Sequence, residues 1–231
     1  MSNAGTSRGP VLNSLRLVVG ALDTNCYLAW RPDREDAVIF DPGGDADLIR
    51  AELAKRKLTP AAILITHCHC DHIGAVAELK KAYPQAPVAA PEAEAQWLPN
   101  PTRNLSYFFG DPLKAPAADR RIREGERLEY AGLRFKTIHV RGHSPGGMAY
   151  LTEDSGGGPP HLFCGDVLFR GGIGRGDLPG GEGEEVLVEN IRERLFCLPN
   201  DTVVHPGHGE ETTIGAEKAF NPFCGEGVDI A

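Results

Sequence analysis

The sequence has no run of eighteen apolar residues, so it contains no candidate for a membrane-spanning helix. Its first ten residues are polar, rich in glycine and serine, and lack the apolar core of an export signal. We therefore expect a flexible lead-in over residues 1–10 and a single domain over residues 11–231. We also expect a cytoplasmic protein with no membrane partner.

Basic residues are scarce relative to acidic ones. The chain has 24 Lys and Arg against 32 Asp and Glu, which gives a formal net charge of -8. A nucleic-acid surface normally shows clustered Lys and Arg, so we expect no nucleic-acid partner. An anionic small substrate stays compatible with this charge if bound metal ions supply positive charge locally.

Paired cysteines are also missing. No two cysteines form the Cys-x-x-Cys knuckle that structural zinc sites prefer, and the scattered thiols suit a reducing compartment. These absences argue against a thiolate zinc site and favour the cytoplasm. The six cysteines are Cys26, Cys68, Cys70, Cys164, Cys197 and Cys224.

The segment from Thr66 to His72 is crowded with metal-type ligands. It places three imidazoles and a carboxylate within seven residues, directly after an apolar run at residues 61–65 that predicts a buried strand. Crowding His and Asp at a strand end is costly unless a positive charge compensates them, and a divalent metal is the usual answer. The segment therefore predicts a metal centre.

The spacing within this segment separates the ligands into two pairs. His67 and His69 are two residues apart, so in an extended segment they point the same way. Asp71 and His72 lie beyond the strand, where the chain turns toward a different point. We therefore predict two metal ions. Cys68 and Cys70 alternate with the histidines and are predicted to point into the protein.

Three later segments each carry a ligand-type residue at the end of an apolar stretch, next to small residues. These residues are His143, Asp166 and His208. Neighbouring glycines permit positive φ and close backbone approach, which lets a loop wrap an ion. Taken in this order, the four segments resemble the metallo-β-lactamase superfamily, and the resemblance covers about residues 15–223.

The resemblance implies an α+β fold, the four-layer αββα sandwich, and a binuclear metal centre. Such ligands accept zinc, iron or manganese, and zinc is our first expectation. The resemblance implies that His67, His69 and His143 hold one ion, that Asp71, His72 and His208 hold the other, and that Asp166 bridges them.

The implied chemistry is hydrolysis. Two ions about 3.5–4 Å apart share a water and lower its pKa, so that it attacks a thioester carbonyl as hydroxide and expels a thiolate. A thiolate leaves without a general acid, because thiols ionise near pH 8.5. In this scheme Asp71 also hydrogen-bonds the water, and Asp166 holds the two ions together.

Details outside the centre suggest the substrate. An aspartate at position 166 is similar to thioester hydrolases, whereas the commonest metallo-β-lactamases place a thiolate on the second metal. Residues 169–181, with Arg175 and Asp177, resemble both glyoxalase II-like hydrolases and persulfide dioxygenases. Residues 206–214 resemble short glyoxalase II-like hydrolases. We therefore expect hydrolysis of S-D-lactoylglutathione to D-lactate and glutathione, with a small-molecule thioester as the partner.

Three alternatives remain. An iron-dependent persulfide dioxygenase would use one metal and consume oxygen. A β-lactamase is a weaker alternative, because an amine leaves less readily than a thiolate. A metal-dependent sensor or scaffold without catalysis is the third.

One departure from full-length glyoxalase II bears on the substrate. Those enzymes append a helical domain that binds the glutathione carboxylates, and we expect it to be missing here because the chain ends at Ala231. Arg175 is then the candidate for a bidentate contact with a substrate carboxylate. The alternative for Arg175 is a structural ion pair with Asp177.

Other polar residues are candidates for supporting roles. Asp41 follows an apolar strand and either contacts a ligand histidine or merely forms a turn before Pro42. Thr66 either orients the His67 loop or caps it. The histidines outside the implied ligand set are expected to pack or hydrogen-bond, and these are His139, His161 and His205.

The pattern of apolar residues predicts two similar successive sets of strands and helices. This order is compatible with two packed sheets and outer helices. The predicted helix at residues 184–198 has Val186, Leu187, Ile191 and Leu195 on one side. Strands are predicted at residues 15–19, 26–30, 37–40, 62–65, 133–140, 148–151, 162–163 and 202–204, and further helices at 45–57, 72–83 and 92–97.

Overall fold

Two six-stranded sheets lie at the middle of the molecule, and their inner faces pack together. The computed structural model describes residues 12–153 and 158–228. The predicted lead-in at residues 1–10 lies outside the described residues.

The first sheet contains its strands in chain order. Its first three strands pair antiparallel, and the following pairs are parallel, with connections that contain helices or turns. The strands are β1 (Asn13–Val19), β2 (Thr24–Trp30), β3 (Asp36–Phe40), β4 (Thr59–Leu64), β5 (Val88–Pro91) and β6 (Arg120–Ile122).

The second sheet has the order β14-β13-β10-β9-β8-β7, in which only β10 and β13 pair parallel. A small hairpin stands apart from both sheets. The sheet strands are β7 (Arg127–Tyr130), β8 (Leu133–His139), β9 (Met148–Thr152), β10 (His161–Gly165), β13 (Val203–Pro206) and β14 (Thr212–Thr213), and the hairpin strands are β11 (Leu168–Phe169) and β12 (Gly172–Ile173).

Helices cover the outer face of each sheet. None of the helices in the described part of the chain is long and apolar enough to cross a membrane. Short 3₁₀ turns occur at Ala95–Trp97 and Ser106–Phe109. The helices are α1 (Ala46–Arg56), α2 (Cys70–Ile73), α3 (Val76–Ala82), α4 (Glu184–Asn190) and α5 (Ile214–Phe220).

Three apolar clusters show the four layers. The central cluster joins the inner faces of both sheets, with Phe40 stacked on Phe163 at a ring-centroid distance of 4.0 Å. A second cluster packs α1 and α3 on the first sheet, and a third packs α4 and α5 on the second. The predicted αββα sandwich is therefore confirmed.

Two predicted helices are interrupted. The helix predicted at residues 72–83 divides into α2 and α3 around Gly74, where a Cβ would lie 2.1 Å from the Gly43 carbonyl oxygen. The helix predicted at 184–198 changes after α4 into a π-helical turn at Ile191–Leu195. Its buried side consists of Leu187, Val188, Ile191 and Leu195, while Val186 is half-buried.

The strand ends determine where the ligand-type residues lie. Strands β3, β4, β8, β10 and β13 are each followed by a loop that carries one or more of these residues. Since β3 and β4 are parallel neighbours, and so are β10 and β13, their carboxyl ends open on the same edge of the sandwich. The centre predicted from the sequence is assembled at that edge.

Candidate metal centre

Three buried histidines form one group of ligand atoms. The Nε2 atom of His143 lies 3.1 Å from Nε2 of His67 and 3.1 Å from Nδ1 of His69. Metal–nitrogen bonds of about 2.0–2.1 Å in a tetrahedral site place the nitrogens about 3.4 Å apart. The three side chains are no more than 4% exposed. This group is suited to holding one metal ion.

Hydrogen bonds orient two of these rings. Nδ1 of His143 donates to the backbone carbonyl of Arg175 at 2.7 Å. The Thr66 hydroxyl donates to Asp41 at 2.6 Å, so its oxygen accepts from Nδ1 of His67 at 3.1 Å. In each ring the proton is on Nδ1, which leaves the Nε2 lone pair for a metal.

Burial keeps two rings of the first group neutral. It lowers the pKa of His67 well below its ordinary value and lowers the pKa of His69 to about 3. Neighbouring imidazoles act in the same direction. Neutral imidazole is the form that binds a metal, so these two rings need not lose a proton first.

A second group lies beside the first and contains a carboxylate. Oδ2 of Asp71 lies 3.5 Å from Nε2 of His72 and 3.3 Å from Nε2 of His208. These three ligand atoms lie close enough together to hold a single ion. His208 is the most accessible of the three, with its side chain 29% exposed.

Asp166 lies between the two groups. Its Oδ1 is 3.3 Å from Nε2 of His72, and its Oδ2 is 3.5 Å from Nε2 of His208. The same Oδ2 is 3.8 Å from Nε2 of His143, which belongs to the first group. The structure thus brings together all seven residues of the implied ligand set, with Asp166 where a bridging carboxylate would stand.

Asp41 supports both ligand groups through its side-chain contacts. It accepts hydrogen bonds from the Thr66 amide at 2.7 Å and from the Thr66 hydroxyl, and it lies 3.0 Å from Nδ1 of His72. Of the two readings that the sequence left open for Asp41, the structure shows the contact with a histidine. Thr66 likewise contacts the His67 ring rather than only ending a strand.

The donor set fits divalent cations. Nε2 of His72 and Oδ1 of Asp166 are buried, and within the described part of the chain neither has a hydrogen-bond partner. Although burial opposes it, Asp166 and Asp71 raise the pKa of His72, and a similar balance raises the pKa of His208 to about 9. The carboxylates therefore favour positive charge at this point, which a metal ion would supply.

Close backbone packing fixes Asp166 and His72 in place. A Cβ built on Gly207 would lie 2.1 Å from Oδ1 of Asp166 and 2.8 Å from Cε1 of His72. The amide of Gly207 also donates to the carbonyl of Gly165 at 2.8 Å. The turn before His208 is thus pressed directly against the bridging carboxylate.

Sequence reasoning missed Glu94, which joins two ligand loops. Its buried carboxylate accepts from the amide of Cys68 at 2.7 Å and from the amide of Gly146 at 2.6 Å. Cys68 lies between His67 and His69, so Glu94 ties their loop to the loop that carries His143. In the sequence Glu94 is one of two glutamates in a short segment, and nothing in the pattern distinguishes it from Glu92.

The histidines outside the ligand set make hydrogen bonds, as expected. The ring of His205 lies 2.9 Å from Glu211 through Nδ1 and 2.8 Å from His161 through Nε2. Nε2 of His139 lies 2.9 Å from the carbonyl of Pro145. None of the three belongs to a ligand group found among residues 12–153 and 158–228.

Two other predictions concern Arg175 and Cys70. The guanidinium of Arg175 pairs bidentately with Asp177 at 2.8 Å, and both side chains are about 70% exposed. This is the structural alternative, and a substrate contact by Arg175 stays a prediction. Cys68 is buried as predicted, but Cys70 is only half-buried because helix α2 begins there and turns the chain.

Comparison with known sequences identifies relatives along most of the chain. Residues 19–208 match the family described as the metallo-beta-lactamase superfamily. A protein of Bacillus subtilis described as "Probable metallo-hydrolase YqgX" is 39% identical over 209 residues, which are 90% of this chain and 95% of that protein. The "Hydroxyacylglutathione hydrolase GloC" of Haemophilus influenzae is 37% identical, with 89% and 94% covered.

Solved structures with the same fold include proteins of different description. The BLEG-1 B3 metallo-beta-lactamase matches with a TM-score of 0.85 and 38% identity, covering 92% of this chain and 99% of that one. TTHA1623, solved in a di-iron-bound form, matches with a TM-score of 0.78 and 37% identity, covering 90% and 99%. ETHE1 from Myxococcus xanthus matches with a TM-score of 0.74 and 28% identity, covering 92% and 84%.

Proposed function

The chain belongs to the metallo-β-lactamase superfamily, and on that premise we propose that it hydrolyses thioesters, with S-D-lactoylglutathione or a close relative as substrate. That it is a metal-dependent hydrolase of this superfamily follows from its relatives and from its clustered ligand atoms. The observation that carries the finer assignment is the aspartate at position 166, placed between two groups of imidazole and carboxylate ligands.

In this proposal the chain holds two divalent ions. When bound, such a pair lowers the pKa of a shared water toward neutrality and polarises a carbonyl oxygen. Zinc is our first expectation, while the di-iron form of TTHA1623 supports iron as well. His67, His69 and His143 would hold one ion, Asp71, His72 and His208 the other, and Asp166 would contact both.

The chain positions these groups before any substrate arrives. Asp71 receives a hydrogen bond from the Thr24 hydroxyl at 3.1 Å, which fixes the carboxylate that faces His208. Asp41 fixes the ring of His72 from the opposite side. Preorganised polar groups of this kind stabilise charge that develops in the reaction without a cost of reorganisation.

The kind of leaving group that the centre can expel depends on whether a side chain is available to protonate it. All seven ligand residues would be committed to metal ions, so none of them is left as a dedicated proton donor. A thiolate departs without a proton because its pKa is near 8.5, whereas an amine does not. The centre therefore suits a thioester better than an amide. The relative GloC, described as a hydroxyacylglutathione hydrolase, supports glutathione as the thiol carrier.

A second candidate is hydrolysis of a β-lactam, which the structural likeness to a B3 metallo-beta-lactamase favours. The persulfide dioxygenase predicted as an alternative would instead consume oxygen. The partners that we propose are small molecules, without nucleic acid or membrane.

One preparation tests these candidates together. The protein is reconstituted with zinc or with iron, its metal equivalents are measured by mass spectrometry, and S-D-lactoylglutathione hydrolysis is followed on the same sample. We expect two equivalents and turnover of the thioester. Oxygen uptake with glutathione persulfide, or fast turnover of a chromogenic cephalosporin without thioester hydrolysis, would contradict the proposal.

A further inference from the structure

A groove with a volume of about 390 Å³ opens beside the second ligand group. One wall is the β1–β2 turn with Leu22, and the opposite wall is the end of the Ser106–Phe109 turn with Phe109 and Leu113. Asp71 and Cys70 line its inner end. Because Asp71 is also a member of the second ligand group, the groove borders the metal centre.

The part of the groove between these walls is formed by glycines. Gly20, Gly43, Gly44 and Gly74 all contribute to its lining. A Cβ at Gly43 would lie 1.7 Å from the backbone oxygen of Asp71, so the chain segments are in close contact there. The missing side chains let these backbone segments pack against one another and form the floor of the groove next to Asp71.

The side chains that line the groove offer no cation to an anionic ligand group. Its lining contains two carboxylates, Asp71 and Asp111, and no Lys, Arg or His. The two carboxylates of a glutathione carrier would find no basic partner in this lining.

The walls are apolar and open to solvent. Leu22 is 45% exposed and Phe109 is 63% exposed. Contiguous apolar surface beside a polar centre is characteristic of a ligand-binding groove, since a bound apolar group would remove this surface from water. The combination of apolar walls and missing cations points to an uncharged, apolar part of the substrate.

We propose that this groove holds the acyl group of the thioester, and that the preferred acyl group is apolar and longer than lactoyl. This inference rests on the proposed thioester hydrolysis and extends it to the substrate class. The thiol carrier then lies outside the groove, on the other side of the scissile bond. The reaction is the hydrolysis already proposed, so no additional reactant is required.

Catalysis provides the first test. The reconstituted two-metal protein is assayed with acetyl-, butyryl- and hexanoyl-glutathione. Burial of one methylene contributes about 0.8 kcal/mol, so we expect kcat/KM to rise by up to about fourfold per methylene. Equal kcat/KM values across the series would overturn the assignment of the groove while leaving thioester hydrolysis intact.

Two matched variants locate the effect in the groove. Phe109→Ala removes a wall residue and is expected to lower the ratio of hexanoyl to acetyl kcat/KM by about tenfold. Phe108→Ala removes a neighbouring ring that is also 63% exposed but does not line the groove, so the ratio should be unchanged. A similar ratio in both variants would contradict the proposal.

Binding provides a test that does not depend on turnover. S-hexylglutathione and S-methylglutathione are thioethers and are not hydrolysed, so calorimetry compares their affinities directly. We expect the wild type and Phe108→Ala to prefer the hexyl compound and Phe109→Ala to lose that preference. Equal affinities of the wild type for the two compounds would overturn the assignment of the groove to the acyl group. Absence of hydrolysis of every thioester would instead overturn the proposed function.

Discussion

The two halves of the metal centre differ in burial and in charge. The first half consists of His67, His69 and His143, which are almost completely buried, and burial holds two of these rings neutral. The second half pairs a carboxylate with its histidines, and His208 has a raised pKa. The first half offers lone pairs in a fixed arrangement, whereas the second attracts a cation by charge. We therefore expect the second ion to bind more weakly and to compete more with protons.

The two halves also differ in how they are supported. Glu94 connects the two loops of the first half through their backbone amides, and the Arg175 carbonyl orients His143. The second half depends on the side chain of Asp41, which contacts His72 directly but reaches the first half only through Thr66. A variant in one supporting residue should therefore change one half more than the other.

Asp166 joins the halves, and its removal should have the largest effect. We expect Asp166→Ala to abolish turnover and to reduce bound metal toward one equivalent, because the second ion loses a ligand and the bridge is lost. Activity and metal content are measured on one preparation. His139→Ala, which changes a histidine outside both ligand groups, is the control. Full activity with two equivalents in Asp166→Ala would refute the role of this residue.

Asp41→Asn tests the support of the second half. The replacement amide places a donor where the carboxylate accepts, so we expect the second ion to bind about tenfold to a hundredfold more weakly. Calorimetric titration of the metal-free protein with zinc gives the two affinities separately. Asp33→Asn, at an exposed aspartate paired with Arg31, should change neither affinity. An equal loss at both sites would show that Asp41 supports the two halves alike.

Glu94→Gln tests the support of the first half. A glutamine has one acceptor oxygen, so only one of the Cys68 and Gly146 amides keeps its bond. We expect the first ion to bind about tenfold more weakly. The d–d absorption of one equivalent of cobalt reports the geometry at the three histidines. Glu92→Gln, at an exposed neighbour paired with Arg123, is the matched control. An unchanged cobalt spectrum in Glu94→Gln would limit Glu94 to a role in folding.

His161 lies outside both halves of the metal centre. Burial lowers its pKa as it does in the first half, and we expect a smaller effect, on stability. Burial is the larger cause that lowers the pKa of His161 to about 4 from an ordinary value near 6.5, and the neighbouring ring of His205 lowers it further. The unfolded chain therefore binds the extra proton first, and stability contributed by this site is lost as pH falls from about 6.5 to 4.

Replacing His161 by glutamine removes that contribution. The metal-free His161→Gln variant should lose a few degrees less in Tm than the metal-free wild type between neutral pH and pH 5. Thermal unfolding in chelator measures both proteins. Identical pH dependence would show that burial alone does not keep this histidine neutral.

Much of the metal centre could be predicted from the sequence because several of its ligands lie close together in the chain. His67, His69, Asp71 and His72 lie within six residues, so their spacing alone indicated two differently directed pairs. The ligands on distant loops were found at the ends of apolar stretches, but only the family resemblance assigned each of them to an ion. Glu94 was not predicted because its partners are backbone amides. Almost every residue has such an amide, so no sequence pattern marks the contact.

The predicted elements failed where local pattern and packing disagree. Strand β6 (Arg120–Ile122) has two arginines in three residues, and β5 (Val88–Pro91) is four residues long and ends in proline, so neither gives a strand signal. Their partners in the first sheet form them instead. The half-burial of Cys70 has a comparable origin, since the alternation expected of a strand stops where α2 begins.

The contact at Gly207 limits how this protein can be diversified in the laboratory. Any side chain there would collide with Asp166 and His72, so even alanine would displace two ligand residues at once. A library intended to change substrate preference should therefore keep this glycine fixed. Variation is better placed at Leu22, Phe109 and Leu113, which border the groove without touching the bridging carboxylate.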